Sequence, residues 1–169
     1  MERSSLAGFS CSIARTLDVI GEWWTILILR DLFLGFDRFD EIQRDLGVAS
    51  NVLTARLKKL NESGIVERRV DAVDKRVIRY ALTEQGRDLY PVLLALTAWG
   101  DKWRAAPGEA PLSIRHRDCG HVTVAVPACA VCGEPLTDDN IEYAPGPGGR
   151  TAPGTELVGQ VLMRRVTGK

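Results

Sequence analysis

The stretch from Phe39 to Leu82 constrains the fold of this chain more than any other part. Within it, Leu53, Leu57 and Leu60 recur at intervals of four and three residues, which places them on one face of a helix of roughly residues 51–61. The opposite face carries short polar side chains and ends in lysine. The pattern predicts a helix that packs on a core through leucine and presents its polar face to a partner.

A shorter helix is predicted just before it. Phe39, Ile42 and Leu46 share one face, and Gly47 is the residue type that ends helices in a left-handed conformation. Ser50 is suited to be the N-cap of the following helix, where its hydroxyl would accept a backbone N–H. Only a few residues separate the two helices, which is the spacing of a helix-turn-helix.

Two strand patterns follow the second helix. The segments I-V-E-R-R-V and R-V-I-R-Y-A-L are separated by the aspartate-rich turn D-A-V-D-K. Ile78, Tyr80 and Leu82 alternate with more polar positions, as in a strand with one buried face. A hairpin with a basic tip directly after a helix-turn-helix is a wing.

Helical patterns also lie on both sides of this region. Ile13, Leu17 and Ile20 predict a first amphipathic helix, and residues 22–34 are apolar almost all round, which indicates the central core helix of a small domain.

Thr83 is expected to cap a long helix that runs to about Arg104 and that Pro91 kinks by removing a backbone hydrogen bond. The apolar residues near one edge of this helix are Leu89, Leu93, Leu96, Trp99 and Trp103. We interpret the tryptophans, with Trp23, as core or interface residues. A small-molecule effector pocket beside them is the alternative.

The length and composition of the chain indicate a globular protein of about one domain. Its basic residues are concentrated in one segment. The chain has 169 residues, and its 22 Lys and Arg residues balance 22 Asp and Glu residues. Residues 56–79 nevertheless carry a cationic excess, and a clustered basic patch favours phosphate binding. Glycine-rich phosphate loops and Ser/His/acid sets are missing, so an enzyme is not expected.

The N-terminal residues include no apolar segment typical of a secretory signal. The longest apolar run, Trp23 to Leu29, is too short to span a bilayer, so no membrane contact is expected. We therefore expect a cytoplasmic protein with reduced thiols.

Several ordered motifs resemble one family. They are C-S-I-A-R-T-L-D-V-I-G-E-W-W-T-I-L-I-L-R-D-L from Cys11, then R-F-D-E-I-Q, L-T-A-R-L-K-K-L, S-G-I-V-E-R and Y-A-L-T-E-Q-G. The chain through about Asp101 resembles the HxlR-type winged helix-turn-helix transcriptional regulators of the MarR-like superfamily. The resemblance implies a homodimer whose first and last helices pack across a two-fold axis, and a pseudo-palindromic operator in double-stranded DNA. Relatives often have proline where this chain has Asn51, so their base preference does not transfer.

The expected fold is mainly α with a small β wing, a winged helix-turn-helix, and the DNA-binding residues follow from it. Residues near the start of a recognition helix read base edges, which favours Asn51 and Thr54. Lysines further along the helix and the basic wing tip are expected at phosphates or the minor groove, with Ser50 touching the backbone. The full predicted set is Ser50, Asn51, Thr54, Arg56, Lys58, Lys59, Lys75 and Arg76. Arg56 lies beside the leucine stripe, where a structural ion pair is equally expected.

A compact segment after Pro107 contains two matched pairs of metal-ligand residues. His116-x-x-Cys119 and Cys129-x-x-Cys132 are each followed directly by glycine. One nitrogen and three sulfur ligands suit a closed structural Zn²⁺ site. The segment is therefore predicted to be a zinc-ribbon-like β hairpin. His121 could replace His116, and a hairpin with reduced thiols and no metal is the alternative.

Cys11 stands apart from these cysteines at the start of the first helix, where the helix N-terminus favours the reactive thiolate. The family resemblance suggests a redox sensor at this position. A small core residue at the dimer interface is the alternative.

The predicted organisation has four parts: a flexible arm (1–10), the winged domain (11–106), the ribbon (112–143) and a Pro/Gly-rich tail (144–169) expected to be disordered until a short closing strand or helix. The leading hypothesis is a transcriptional repressor, with an oxidant or a small molecule as its effector. The competing hypothesis is a zinc-ribbon adaptor that uses the winged domain to dock on protein, and its DNA affinity would not depend on salt.

Overall fold

The computed structural model describes residues 5–167, with side chains described as far as residue 162. It is mainly helical, as the sequence predicts, and it contains two small antiparallel sheets. In chain order the elements are α1 (Ser12–Ile20), α2 (Trp23–Leu34), α3 (Phe39–Leu46), α4 (Ser50–Glu62), β1 (Val66–Val70), β2 (Ile78–Leu82), α5 (Glu84–Arg87), α6 (Tyr90–Trp103), β3 (Ile114–Arg115), β4 (Val122–Thr123) and α7 (Glu156–Thr167).

Helix α2 is the centre of the core, as its apolar composition predicts. Ile28 and Leu29 are fully buried, and the helix packs against α3, α4, α6 and β2. The predicted leucine stripe of α4 is also confirmed, since Leu53, Leu57 and Leu60 are all at most 2% exposed. Burial of a leucine stabilises a fold by roughly 1.5–3 kcal/mol, so this stripe fixes the rotation of α4 about its axis.

The break between α3 and α4 is the predicted tight turn. Gly47 has φ +61°, and its N–H donates to the Gln43 carbonyl at 2.9 Å. The prediction that Ser50 is the N-cap is wrong, because α4 begins at Ser50 itself and Ala49 occupies the cap position without a side-chain hydrogen bond.

Strands β1 and β2 form the predicted hairpin, with Arg68 paired with Tyr80. A single bridge between Arg38 and Arg79 adds the chain before α3 to its edge, and the Tyr80 N–H donates to the Asp37 carbonyl at 2.8 Å. The wing is thereby attached to the start of the helix-turn-helix.

The single long helix predicted after Thr83 is wrong, because the chain forms two helices there. The Thr83 hydroxyl accepts the Gly86 N–H at 3.1 Å, which confirms the predicted cap. A Cβ on Gly86 would lie 2.2 Å from the Ile65 carbonyl oxygen, so glycine permits α5 to lie close to the residue just before β1. Pro91 lies in the first turn of α6. A backbone N–H at this position would have no acceptor within the helix, so the proline costs no hydrogen bond and does not kink α6.

The two ends of the chain are only partly described. Of the predicted flexible arm, residues 1–4 lie outside the described residues, and the Leu6 N–H donates to the Asp18 carboxylate at 2.7 Å. The predicted tail runs through residues 144–155 without regular structure and continues as α7, and residues 168–169 lie outside the described part. None of the described helices is long and apolar enough to cross a membrane.

Candidate nucleic-acid interface

The outer face of α4 is exposed along its length. Asn51, Thr54, Ala55 and Lys58 all face solvent, directly opposite the buried leucines. Among the described residues Lys58 forms one ion pair, with Glu62, which lies 3.7 Å away and one turn further along the helix. Such exposed pairs contribute little stability, so the lysine is free to exchange this partner for a phosphate.

Two other basic residues of α4 are engaged inside the protein. The Lys59 ammonium donates to the Asp18 carbonyl of α1 at 2.5 Å and is half-buried. The Arg56 guanidinium lies 3.2 Å from the Glu22 carboxylate. This is the structural ion pair that was the alternative to a DNA contact for Arg56. Both side chains therefore hold α4 against the preceding helices.

Ser50 contributes to the turn rather than to a cap. Its hydroxyl accepts a hydrogen bond from the Gln43 side chain at 2.6 Å, and the same amide nitrogen lies 3.3 Å from the Val48 carbonyl. Gln43 thus fastens α3 to the first residue of α4, which fixes the angle at which α4 is presented.

The wing tip is built around Asp71. Its carboxylate accepts the N–H groups of Val73 and Asp74 at 2.8 and 2.9 Å, and the Arg79 Nε at 2.5 Å. Hydrogen bonding from Arg79, and then from the two backbone N–H groups, holds the pKa of Asp71 well below its ordinary value. Arg79 also donates to Asp37 at 2.6 Å, so a charged network ties the tip to the base of the wing.

The basic residues at the wing differ in how far they are already paired. Arg76 is bound through both Nε and Nη2 to Asp74, whereas Lys75 is exposed at the tip. Arg68 on β1 is also exposed, and within residues 5–162 neither Lys75 nor Arg68 forms an ion pair. Arg68 falls within the cationic segment 56–79 but is not among the DNA-binding residues predicted from the sequence. The structure shows that Arg68 is exposed on β1, and this exposure makes it a candidate for phosphate contact.

A second surface lies away from these residues, between α1 and α6. Of the apolar side chains that line a groove of about 600 Å³ there, five are substantially exposed, and we call these five the α1–α6 face. They are Ile13, Leu17, Trp23, Val92 and Leu96. Exposed apolar patches of this kind commonly occur at interaction surfaces and in ligand-binding grooves.

The other two tryptophans of interest do not line this groove. Trp99 lies under the Arg104 guanidinium at 5.3 Å, and Trp103 lies under the Lys102 ammonium at 4.8 Å. Both are more than half exposed, so they are not core residues of the single chain, and their predicted place at an interface stays a prediction.

The helix-turn-helix and wing coincide with a known family. The model of the HxlR-like helix-turn-helix family matches residues 19–107, more than half of the chain. The chain belongs to the HxlR-like family. It is therefore a transcriptional regulator with a helix-turn-helix.

Relatives and solved structures agree with this assignment. The HxlR-like chain is 39% identical over 137 residues to an uncharacterised HTH-type transcriptional regulator of Mycobacterium bovis, Mb3122, covering 81% of this chain and 87% of that protein. The crystal structure of PA1607, described as a candidate transcription factor, superposes with a TM-score of 0.75 at 39% identity, over 83% of this chain and 99% of PA1607. A match of 137 residues cannot fit within the first 107, so similarity extends at least 30 residues beyond the family segment.

HypR, a redox regulator solved in reduced and oxidised forms, is a more distant structural relative. It is 34% identical, with a TM-score of 0.51 in both forms. The match to the reduced form covers 56% of this chain and 94% of HypR. The match to the oxidised form covers 57% of this chain and 100% of HypR.

The remaining predicted site residues lie outside the segment that the family model matches, residues 19–107. Cys11 directly precedes α1 and is half-buried. Beyond residue 107 the structure brings His116 within 3.3 Å of Cys119, and it places Cys129 and Cys132 on a second turn. It does not gather three or more metal-ligand side chains into one group anywhere among the described residues.

Proposed function

We propose that this HxlR-like protein is a homodimeric repressor that binds a pseudo-palindromic operator through one α4 helix from each subunit. The observation that carries the proposal is the exposed polar face of α4, where Asn51, Thr54 and Lys58 stand on a helix fixed from behind by buried leucines. A helix exposed in this way can enter the major groove without unfolding any part of the domain. A dimer bound at a promoter would repress by occupying the DNA.

The exposed residues of α4 divide into two roles. Asn51 and Thr54 lie in the first two turns, where base edges are read, and an asparagine amide can bind adenine with two hydrogen bonds. Lys58 lies a turn further on and would meet phosphate, together with Arg68 and Lys75 from the wing. Arg56 and Lys59 act indirectly, since their side chains hold the helix in position.

The α1–α6 face is proposed to bind the same face of a second copy. Its apolar side chains line the groove between α1 and α6. A two-fold dimer requires a surface patch that packs against its own copy. Dimerisation there would set the spacing of the two α4 helices, which must be close to one turn of DNA, roughly 34 Å. A second subunit in the groove would also leave less room for a small-molecule effector.

Adjacent lysines on α4 provide a matched test of the DNA-binding surface. Lys58→Ala should weaken binding to all DNA sequences and lower the slope of log affinity against log salt concentration by about 2, since a dimer loses two phosphate contacts. Lys59→Ala should leave that slope unchanged and reduce the free energy of unfolding by about 1.5–3 kcal/mol, because a hydrogen bond from a charged group is lost. Fluorescence anisotropy across a salt series, with chemical denaturation, measures both effects. Equal salt slopes for the two variants would contradict the proposed surface.

We further propose that oxidation or alkylation of Cys11 modulates DNA binding. Cys11 lies two residues before Ile13 of the α1–α6 face, so a bulky group on its sulfur would disturb the start of α1 where the second subunit packs. The likeness to a redox regulator supports the same role.

Comparison of wild type with Cys11→Ser tests this role while the other cysteines remain present in both proteins. Treatment with hydrogen peroxide, which oxidises a thiolate to a sulfenic acid, or with N-ethylmaleimide, which forms a thioether, should lower the operator affinity of the wild type at least about tenfold, a change equivalent to about 1.4 kcal/mol. The same treatment should leave Cys11→Ser unaffected. Unchanged wild-type affinity after complete modification of Cys11, verified by mass spectrometry, would eliminate the hypothesis.

A further inference from the structure

The two pairs of candidate ligands beyond the winged domain are held by turns of the same geometry. The Gly120 N–H donates to the His116 carbonyl at 2.8 Å, and the Gly133 N–H donates to the Cys129 carbonyl at 2.8 Å. Both glycines have left-handed backbones, with φ of +71° and +77°. A four-residue turn closed by a left-handed glycine thus occurs twice, each time with a ligand residue at its first and fourth positions.

The first turn already places two ligand atoms at a chelating distance. His116 Nδ1 lies 3.3 Å from Cys119 Sγ. Two ligands on one edge of a tetrahedral zinc site, with bonds near 2.0 and 2.3 Å, stand roughly 3.6 Å apart. The other ring nitrogen, Nε2, lies 3.7 Å from the Asp118 carboxylate, where zinc-bound histidines commonly face an oxygen acceptor.

These contacts distinguish the two histidines of the chain. His121 supplies its backbone carbonyl to the His116 N–H at 3.0 Å, and its side chain is exposed. His121 therefore shapes the hairpin through its backbone, while His116 presents a ring nitrogen to a cysteine sulfur.

The segment around these turns lacks an apolar core. No residue from 112 to 143 is buried, and Val122, Val124, Val126 and Leu136 are all more than 40% exposed. A unit of about this size without a core ordinarily depends on a metal or on disulfides to hold its shape. We therefore expect a bound metal or disulfides to stabilise the paired strands and turns of this segment.

We propose that His116, Cys119, Cys129 and Cys132 bind one structural Zn²⁺ ion. The side chains stand as two pairs, so binding would draw the two turns together, and the three thiols would release their protons to solvent as zinc–sulfur bonds form. The donor set fills a tetrahedron and leaves no open position, so the ion would have a structural role. It would give the segment the rigidity that its exposed valines do not provide.

The proposal is tested on the full-length protein purified without chelators, with zinc measured by elemental mass spectrometry. One zinc per chain is expected in the wild type and in His121→Ala, and less than about a tenth in Cys129→Ser. His116→Ala should lose zinc in competition with a chelator at least about tenfold more readily than His121→Ala. Dimer mass and DNA binding should persist in all variants, which separates ribbon effects from misfolding of the winged domain.

Cobalt substitution provides a readout that does not depend on any variant. The wild type loaded with Co²⁺ should show the absorption of tetrahedral cobalt with thiolate ligands. Fewer than about half a zinc per chain in the wild type, a disulfide joining Cys119 to Cys129 or Cys132 under reducing purification, or octahedral cobalt would overturn the proposal. Equal zinc retention by His116→Ala and His121→Ala would overturn the assignment of His116.

Discussion

Replacing Leu96 with aspartate is expected to convert the protein from dimer to monomer at micromolar concentration and to lower operator affinity at least about 100-fold. Leu96 lies half-exposed on α6 within the α1–α6 face. In a two-fold interface the substitution places two carboxylates in an apolar contact, and an uncompensated buried charge costs about 3–5 kcal/mol. A monomer keeps only one of the two half-site contacts, so the loss of DNA affinity follows from the loss of the dimer.

Light scattering on a sizing column measures the mass in solution, and Val70→Asp provides the matched control. Val70 is similarly exposed, at 56% against 50%, but lies on the wing hairpin and not on α1 or α6. The control should remain dimeric. If Leu96→Asp remained a dimer, the dimer interface would have to lie elsewhere on the protein.

Replacing Asn51 with alanine is expected to remove the preference for the operator while sparing the affinity for unrelated DNA. A bidentate contact to a base contributes about 1–3 kcal/mol of discrimination, and a dimer loses two of them, so operator affinity should fall at least about 30-fold. Because Asn51 carries no charge, the salt dependence of binding should stay the same. Competition between operator and random-sequence duplexes measures the change.

The second asparagine of α4 is the control for this experiment. The Asn61 amide donates to the Val66 carbonyl at 2.9 Å and so joins the end of α4 to β1. Asn61→Ala should lower the free energy of unfolding by about 1 kcal/mol and keep the ratio of operator to random binding. The two substitutions should therefore separate reading of the operator from support of the fold. An Asn51→Ala protein with unchanged discrimination would show that α4 does not read bases through this residue.

The elements predicted best from sequence are those whose cause is local. The leucine spacing of α4, Gly47 at the end of α3 and Thr83 before α5 each act through residues a few positions away, and each prediction is confirmed. The predicted kink at Pro91 is wrong, because the effect of a proline depends on where the helix begins. Only the structure shows that α6 begins next to it.

Long-range partners explain the residues that sequence patterns placed less well. Lys59 bonds to Asp18, which lies 41 residues away, and no periodicity within α4 distinguishes it from the exposed Lys58. Ser50 has the residue type of a cap, yet its hydroxyl is held by Gln43 and the cap position falls on Ala49. Trp99 and Trp103 are apolar and in helical phase with Leu96, but helical phase does not specify whether any other surface covers that face, and both are exposed.

Selection of DNA fragments from a random library by the purified wild-type protein tests the central claim most directly. The enriched fragments should contain an inverted repeat whose half-sites are centred about 10–10.5 base pairs apart or at a multiple of that spacing. Binding to the selected site should weaken steeply as salt concentration rises. Enrichment of no sequence, or of one unpaired half-site bound with salt-independent affinity, would contradict the account of a dimer that reads DNA through α4.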